Sequence, residues 1–468
     1  MASHSIMSSA EPHDQTEIAD VVVVGGGLAG LSAAQALSDR AVILLEEADR
    51  LGGRVYSEAR QQYWLNLGAH MFGGPDTNVG RLVDACGLET RPIQGHLMGI
   101  AYGGKIISGG RVETFPFRLP LSWADRYSFV RMALQIRRGT KGLLSTMAPR
   151  EGDTPGGRRQ RVLAYENNRT LRDYIGPLKP EVDAILRAVT ERTSASPDHM
   201  AAGYGLTSFT NVWTRWSPNR NMVGGSSKLP DALGARLGNR VRTGARVTTV
   251  VSEADAVICT YRWRGGLHRV RARRAIVATP AFVTREIVSG IPAETASALN
   301  QIVYGPFLSA ALLTGETSPM PWDRIYAIAS PGRSFGVFFN QAIALRIGQR
   351  KPGGSVMLFR GATGAAELIP KSDAAIEAAF VADLADLFPD ARGIVREVII
   401  KRWPAGAPYA RPGRARLQSA LERPFGRIVL AGDFLEFPNM EAAVRSGLDA
   451  AQRVRMDEAS ANTRSNDR

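Results

Sequence analysis

Cysteine is nearly absent from this chain, whose 468 residues contain only Cys86 and Cys259. Two cysteines cannot build a disulfide framework, and this pair lacks the close spacing of metal ligands. The composition therefore favours a reducing compartment, and we expect a cytoplasmic protein with no metal site. Patterns typical of a Ser-His-Asp triad or of paired catalytic carboxylates are missing as well.

Long apolar runs are missing too. No segment approaches the roughly 18 consecutive apolar residues that a membrane span needs, so we expect no transmembrane helix. Residues 1–18 contain neither Lys nor Arg and no apolar run, which distinguishes them from a signal or transit peptide. We expect residues 1–18 and 456–468 to be disordered tails.

Acidic residues are outnumbered, with 58 Lys and Arg against 44 Asp and Glu and a net charge of +14. Such a surface attracts anions. The densest basic cluster surrounds Gly265-Gly266, and its alternation predicts a β-hairpin with arginines in solvent: Arg262, Arg264, Arg269, Arg271, Arg273 and Arg274. No helix-turn-helix, zinc-finger or RNA-binding signature accompanies it, so we do not expect nucleic-acid binding. An interaction protein that uses its basic surface stays an alternative.

The segment from Leu121 to Arg138 mixes aromatic and aliphatic residues with four arginines. This mixture leaves peripheral membrane contact open. We favour a helix with a solvated basic face. The following segment, Arg137 to Arg161, has few apolar residues, and we expect an exposed, mobile loop there.

The residues present in quantity are those of a folded protein, since 44% are hydrophobic and 22% are charged. A chain of this length predicts two or three domains. Its most specific pattern begins with the buried-strand signal Val21-Val22-Val23-Val24, followed by Gly25-Gly26-Gly27-Leu28-Ala29-Gly30 and a helix to about Leu37. A second strand, Val42 to Leu45, ends at Glu46. This order predicts a dinucleotide site.

Each residue of this pattern has a physical role in such a site. Gly25 allows the sharp turn, Gly27 lets the backbone approach a pyrophosphate, and Gly30 lets the helix pack on the strand. The phosphates meet the free amides at the start of the helix. Glu46, about 20 residues beyond the first glycine, can accept hydrogen bonds from ribose hydroxyls.

The glycine-rich pattern stops near residue 95, and strand patterns return after Gly224-Gly225. We therefore predict an α/β plus α+β protein in which a discontinuous Rossmann-like domain is interleaved with a substrate-binding domain of mixed sheet and helices. The nucleotide-binding segments are 19–95, 224–285 and 395–455. The substrate-binding segments are 96–223 and 286–394, and a cofactor would lie beside the pocket they form.

Several motifs resemble those of the flavin amine oxidase superfamily, which includes protoporphyrinogen oxidases and carotenoid desaturases. The resemblance rests on Val21 to Gly30, Glu46 to Arg54, Ala278-Thr279-Pro280, Ala431-Gly432-Asp433 and Met440 to Gly447. It implies that the nucleotide-binding segments hold FAD. The motifs are specific for that cofactor and say little about the substrate.

The resemblance also implies roles for individual residues. Glu46 would hold the adenosine ribose, and Gly52, Gly53 and Arg54 would line the pyrophosphate or the flavin. Val247 would pair with adenine through its backbone, and Asp433 would contact the ribityl chain or the pyrophosphate. Asn439 can cap a helix whose first amides, at Met440 and Glu441, point their positive partial charge toward the flavin.

Two departures from the superfamily pattern bear on function. The covalent amine oxidases use a cysteine that the stretch from Lys401 to Asp433 lacks, so FAD is expected to be noncovalent. Ser309 stands where many of those oxidases place a lysine. The segment from Trp403 to Tyr409 resembles the protoporphyrinogen oxidase and desaturase branch.

The candidate catalytic residues are Trp403 and Tyr409, as aromatic walls of the flavin face, and His70, as a general base. Trp213, Arg215 and Trp216 are a further candidate, an aromatic pocket with one cation for a carboxylate. Asn340 is a weaker candidate. Core packing or surface exposure is the competing interpretation of each.

The resulting hypothesis is an FAD-dependent oxidoreductase that removes a hydride from an amine or amino-acid-derived small molecule. Oxygen or another acceptor would reoxidise the flavin, because the cofactor itself accepts the hydride. Oxidation of C–C bonds in a polyene or porphyrinogen is the first alternative, and a non-redox FAD-dependent isomerase is the second. A homodimer is left open.

Overall fold

A computed structural model describes residues 16–93, 99–213, 219–346 and 348–466, with only the backbone described for 458–466. Its strands are β1 Thr16–Val24, β2 Val42–Leu45, β3 Ser57–Arg60, β4 Tyr63–Asn66, β5 Thr90–Pro92, β6 Gly99–Tyr102, β7 Lys105–Ser108, β8 Arg220–Met222, β9 Val241–Arg242, β10 Arg246–Ser252, β11 Val257–Trp263, β12 Gly266–Val277, β13 Val303–Thr314, β14 Ala327–Ala329, β15 Val337–Asn340, β16 Gly354–Gly361, β17 Val395–Tyr409 and β18 Ile428–Leu430.

The helices lie between these strands and at the C-terminal end. They are α1 Leu28–Ala36, α2 Asn78–Ala85, α3 Phe115–Arg118, α4 Trp123–Met147, α5 Pro155–Ala164, α6 Leu171–Ile175, α7 Pro180–Thr190, α8 Ala202–Leu206, α9 Lys228–Leu237, α10 Ala281–Ile287, α11 Ala293–Asn300, α12 Ala362–Leu368, α13 Asp373–Leu387, α14 Gln418–Glu422 and α15 Met440–Asn466. None of them, within the described ranges, is both long and apolar enough to cross a membrane.

The first sheet has the order β10-β11-β12-β1-β2-β9, with β18 paired to β12. Strands β2, β1, β12 and β18 run parallel. Val21, Val22 and Val23 are fully buried, because helices cover both faces of a parallel sheet. The four-valine run is therefore the buried parallel strand that the sequence predicts.

The basic cluster forms the predicted hairpin between β11 and β12. Trp263 pairs with Gly266, and the two residues between them, Arg264 and Gly265, have φ of 48° and 81°. Positive φ at both central residues is typical of a type I′ turn, whose twist matches that of the flanking strands. Four arginines of the cluster are exposed and the other two are half-buried.

The second sheet has the order β17-β13-β16-β15-β14-β6-β7 and is antiparallel except where β14 meets β6. Its longest pairing joins β13 to β17. Residues 395–409 were predicted to belong with the nucleotide-binding segments, whereas the structure pairs them in this second sheet. The pairing of β17 with β13 decides that these residues belong to the second sheet. No local feature of the β17 sequence predicts that pairing.

A helical unit, α3 to α8, connects β7 to β8, and it corrects the loop expected at Arg137 to Arg161. Helix α4 extends to Met147, and α5 begins at Pro155 with Thr154 as its N-cap. Arg159 of α5 is 6% exposed and donates to Glu422 and Asp449. These partners are more than 260 residues away in sequence, so a local pattern could not predict the helix.

The chain ends differ from the predicted tails. Strand β1 begins at Thr16, and α15 continues to Asn466 instead of ending near Val454. The residues from Thr16 to Ile18 pair with Arg269 to Arg271 of β12. This pairing extends β1 through backbone hydrogen bonds, which the polar side chains of the segment do not predict. Residues 1–15 lie outside the described part of the chain.

Candidate functional site

The carboxyl ends of the parallel strands bring the predicted motifs to one edge of the first sheet. Val24, at the end of β1, is level with Leu45 of β2 and Val277 of β12, and Val277 is level with Leu430 of β18. Gly25, Glu46, Ala278 and Ala431 follow these positions directly. Ligands of open α/β sheets bind at this edge.

The first glycine turn has the geometry that its residues predict. Gly25 has φ of 106°, a conformation that favours glycine. A Cβ on Gly30 would lie 1.9 Å from the carbonyl oxygen of Gly25, so α1 packs on the turn only because no side chain intervenes.

Gly27 differs from these two glycines. Its φ of −72° and ψ of 176° suit any residue, and a Cβ there would meet no atom within 4 Å. The chain itself therefore does not require a glycine at this position. Open space above the first amides of a helix is what an incoming phosphate group would need.

The segment from Gly52 to Arg54 forms the other wall of this space. The Gly52 N–H donates to the Gly26 carbonyl over 2.8 Å, and a Cβ on Gly53 would face the Gly27 Cα at 3.5 Å. Gly52 and Gly53 have φ of 100° and 57°. Two glycine turns thus face each other, with no side chain of their own between them.

Glu46 closes the turn from the side of β2. Its Oε2 accepts from the Gly26 N–H over 2.5 Å, and its Oε1 accepts from the Ala48 N–H over 2.9 Å. Burial raises the pKa of Glu46, while these two backbone donors oppose the shift. Each oxygen of a carboxylate accepts more than one hydrogen bond, so ribose hydroxyls can still bind there.

The C-terminal motif meets the same region through an ion pair. Asp433 follows Gly432, whose φ is 147°, and its Oδ1 lies 2.8 Å from Nη2 of Arg54. Burial alone would lower the pKa of Arg54, but the charge and the hydrogen bond of Asp433, with smaller contributions from Tyr304 and Tyr204, together raise that pKa. The Gly406 carbonyl also accepts from Arg54 over 3.3 Å.

Helix α15 begins seven residues after Asp433 of this pair. Asn439 Oδ1 accepts from the Ala442 N–H over 2.8 Å, which is the predicted N-cap. A Cβ on Gly447 would meet the Ala29 carbonyl oxygen at 2.1 Å, so α15 and α1 touch closely. Two helix N-termini, at Leu28 and at Met440, therefore lie at the carboxyl edge of the sheet, where their positive partial charges favour an anion.

Val247 lies on β10 and is buried, paired with Tyr261 of β11. Two residues earlier, the Ala245 N–H donates to the Glu46 carbonyl over 2.8 Å. The predicted adenine contact is thus only two residues along the chain from a backbone hydrogen bond to Glu46, the residue predicted to hold the adenosine ribose.

Trp403 lies on β17, and its Nε1–H donates to the Leu67 carbonyl over 2.8 Å. The Ser309 hydroxyl donates to the same carbonyl over 2.7 Å. Lys401 is paired with Ser309 across the strands, and its Nζ lies 5.2 Å from the Trp403 ring. Lys401 is therefore the cross-strand neighbour of Ser309, which occupies the position where the resemblance places a lysine. No local sequence pattern predicts this pair, because only the register of β13 and β17 creates it.

Tyr409 is not brought beside Trp403. Tyr409 pairs with Val303 and Trp403 with Phe307, so about 13 Å of strand separates the two positions. Tyr409 packs instead against the apolar core of the helical unit. An extended strand keeps the two residues apart even across the register shift between Gly305 and Phe307, whereas they were expected on one flavin face.

His70 is buried, with its Nδ1 3.0 Å from the Gly68 carbonyl oxygen. Its ring meets Phe339 edge-on at 5.1 Å and lies 6.4 Å from Tyr326. Burial lowers the pKa of His70 to about 4, and its Nε2 has no partner in the described residues. The ring is therefore neutral, with an Nδ1–H donor and an Nε2 acceptor.

Arg192 lies near Tyr326, in a short helical turn, Glu191–Thr193, after α7. It donates hydrogen bonds of 3.3 Å to the Val189 and Ser208 carbonyls and has no ion-pair partner among the described residues. Burial lowers the pKa of this guanidinium. It is a half-buried cation without a carboxylate partner in the described part of the chain, and the sequence did not single it out.

The remaining candidates are Trp213, Arg215, Trp216 and Asn340. Trp213 lines an apolar cavity of the helical unit, while Arg215 and Trp216 are outside the described residues. Asn340 is fully buried and donates to the Trp322 carbonyl over 2.9 Å, which is a packing role in the second sheet.

The sequence pattern of the family described as Flavin containing amine oxidoreductase matches residues 28–455. Amine oxidase [flavin-containing] A of Canis lupus familiaris is 26% identical over 268 residues, which cover 51% of this chain and 46% of that protein. The match thus spans about half the length of that relative. Protoporphyrinogen oxidase, chloroplastic, of Oryza sativa subsp. japonica is 21% identical over 93% of this chain and 88% of that protein.

Solved structures show the same fold. Putrescine oxidase bound to putrescine superposes with a TM-score of 0.76 at 19% identity, covering 94% of this chain and 99% of that one. Cyclohexylamine oxidase from Brevibacterium oxydans gives 0.75 at 18% identity, with 94% and 99% covered. The predicted fold class is confirmed.

Proposed function

The chain belongs to the flavin containing amine oxidoreductase family, and we propose that it is an FAD-dependent oxidoreductase acting on an amine or amino-acid-derived small molecule. The bound flavin would accept a hydride from a carbon–hydrogen bond of the substrate and pass the electrons to oxygen or another acceptor. The protein itself would bind and orient the flavin and the substrate and would exclude water from the site.

The observation that supports FAD most directly is the open space at Gly27. The backbone there accepts any residue, yet the chain has a glycine with no neighbour within 4 Å of its missing Cβ. A pyrophosphate over Gly27 and Gly53 explains the glycine, because its oxygens would approach the free amides of α1. Glu46 on one side and the Arg54–Asp433 pair on the other would then hold the two ends of the cofactor.

Noncovalent binding is supported by where the two cysteines lie. Cys259 is fully buried on β11, where burial raises the pKa of its thiol to about 12. Cys86 caps the C-terminal end of α2. Neither cysteine lies at the carboxyl edge of the first sheet, where the two glycine turns meet. Acid precipitation should therefore release all flavin into the supernatant, and colour retained in the pellet would contradict this proposal.

On the substrate side, Trp403 and Lys401 would line the face near Leu67. We propose that His70 acts as a neutral hydrogen-bond acceptor through Nε2, because a group with a pKa of about 4 does not hold a proton at neutral pH. Closing this buried region would exclude water from the reacting carbon.

Arg192 favours an amino-acid-derived substrate over a simple amine. The Arg192 guanidinium is half-buried and pairs with no carboxylate among the described residues, so a substrate carboxylate could bind it with paired hydrogen bonds. Arg192→Met should therefore raise KM for amino-acid substrates by about tenfold or more while leaving KM for simple amines within about twofold. An equal change for both classes would contradict the assignment of Arg192.

Oxidation of C–C bonds is the alternative that a specific observation favours. Ser309 occupies the position of the expected lysine, and the protoporphyrinogen oxidase relative matches 93% of this chain. Anaerobic mixing of the purified protein with amines, amino acids, polyenes and a porphyrinogen, followed at the flavin absorbance band, separates these classes. Bleaching by amines or amino acids is expected. Turnover without bleaching by any class would support an isomerase instead.

A further inference from the structure

Exposed apolar side chains are concentrated on one part of the helical unit. Ten large hydrophobic residues are exposed in the described part of the chain, and five of them lie between Phe117 and Leu144. Trp123 is 79% exposed, Tyr127 74% and Leu134 62%. Contiguous exposed apolar patches mark interaction sites, whereas scattered single residues need no explanation.

Helical geometry places these three residues on one stripe of α4. At about 100° per residue, Trp123, Tyr127 and Leu134 fall within about 40° of each other around the helix. The residues that pack inward lie on the opposite side, among them Phe129, Met132, Ile136 and Leu143. Helix α4 therefore has a second apolar stripe, which we call the outer face.

The outer face is also cationic. Arg137, Arg138 and Lys141 are exposed and lie within about 60° of the stripe. The guanidinium of Arg126 lies 4.9 Å over the Trp123 ring. The single acidic residue of α4, Asp125, is at the first turn, where it bonds to the N-cap Ser122.

An apolar cavity lies directly behind this helix. Its volume is about 150 Å³, and Phe129, Val130 and Leu134 of α4 form one of its walls. Val189 and Phe209 belong to the lining as well. The apolar surface of the outer face thus continues inward instead of ending at three side chains.

We propose that the outer face of α4 docks this protein on an anionic lipid bilayer. Aromatic rings prefer the headgroup level, aliphatic side chains enter the acyl boundary, and lysine and arginine attract anionic headgroups. From Trp123 to Lys141 the helix presents about 27 Å of such surface. A second copy fits less well, because a symmetric contact would bring Arg137, Arg138 and Lys141 of both copies together, and Glu113, 3.8 Å from Arg137, is a single carboxylate against these three cations.

Vesicle cosedimentation tests the proposal with the flavin-loaded full chain. Wild-type protein should bind phosphatidylcholine vesicles with 30% phosphatidylglycerol about tenfold or more tightly than pure phosphatidylcholine. The triple variant Trp123→Ser, Tyr127→Ser, Leu134→Ser should lose about tenfold or more in affinity. The variant Arg137→Gln, Arg138→Gln, Lys141→Gln should lose about 100-fold on the anionic vesicles.

The basic β11–β12 hairpin supplies the matched control. Arg262→Gln, Arg264→Gln, Arg269→Gln removes the same charge from another exposed surface and should leave vesicle binding within about twofold. Equal losses from both charge variants would overturn the proposal, since binding would then follow net charge alone. Absence of binding to anionic vesicles would also overturn it. So would a dimer that dissociates in the Trp123, Tyr127, Leu134 variant, because the face would then join two copies. Unchanged melting temperature and flavin content show that each variant is folded.

Discussion

Replacing Gly27 by valine separates what the chain needs from what the cofactor needs. The backbone at this position is extended, which valine adopts readily, and no protein atom lies within 4 Å of the new Cβ. A β-branched side chain has few rotamers, so it cannot swing fully away from the space above the first turn of α1. We expect a folded protein that has lost its flavin.

The expected magnitudes follow from these contacts. Glycine and valine differ at an N-cap by no more than about 1 kcal/mol, so the unfolding free energy of the apoprotein should change by about that amount. A displaced pyrophosphate would lose about two charge-assisted hydrogen bonds, each worth about 1.5–3 kcal/mol. The dissociation constant of FAD should then rise by about 100-fold to 10,000-fold.

The assay compares flavin content with apoprotein stability. Flavin per protein is read from absorbance after purification, FAD affinity by titrating apoprotein, and stability by thermal unfolding without FAD. Gly30→Ala is the contrasting variant: its Cβ would lie 1.9 Å from the Gly25 carbonyl oxygen, so it should destabilise the apoprotein itself by about 1–3 kcal/mol. Stoichiometric flavin with wild-type affinity in Gly27→Val would refute the placement of the pyrophosphate.

Three further predictions test other parts of the site and the fold. His70 has a pKa of about 4 in the folded state against an ordinary 6.5, so the unfolded chain binds its proton first and stability should fall by about 3 kcal/mol between pH 6.5 and 4; His70→Phe should remove that part of the slope in denaturant titrations, and an unchanged slope would contradict the burial argument. Arg159→Met leaves Glu422 and Asp449 without their shared cation and should cost about 3–5 kcal/mol in chemical unfolding, more than Arg264→Met on the exposed hairpin. Glu46→Gln replaces one carboxylate oxygen by an NH2 donor, so the side chain can accept from only one of the Gly26 and Ala48 N–H groups and accepts less from ribose hydroxyls; FAD affinity should fall by about tenfold or more and Tm should fall with it, and equal FAD affinity would remove Glu46 from the site.

Local sequence is a good guide where a role depends on backbone conformation. Gly25 requires a positive φ and Gly30 a missing Cβ, and both requirements are visible as glycines at fixed offsets from a valine strand. The hairpin at Gly265 and the cap at Asn439 are predictable for the same reason. Each is decided within a few residues.

Sequence fails where partners are distant. Arg159 looks like part of a charged loop, but carboxylates from α14 and α15 bind it and stabilise α5 as a helix. The pair of Lys401 with Ser309 exists only because β17 and β13 are in register. Tyr409 seemed close to Trp403 along the chain, yet an extended strand separates them.

The sequence by itself determined the nucleotide-binding edge, because glycines, a buried strand and the acid at its end act through short-range geometry. Only the tertiary structure decided which residues meet on the proposed substrate side, where Trp403 and Lys401 of β17, His70 and Arg192 come from three separate segments. It also decided that α4 has two apolar faces, one of them exposed. Packing between distant elements fixes these features, and no local pattern of residues contains that information.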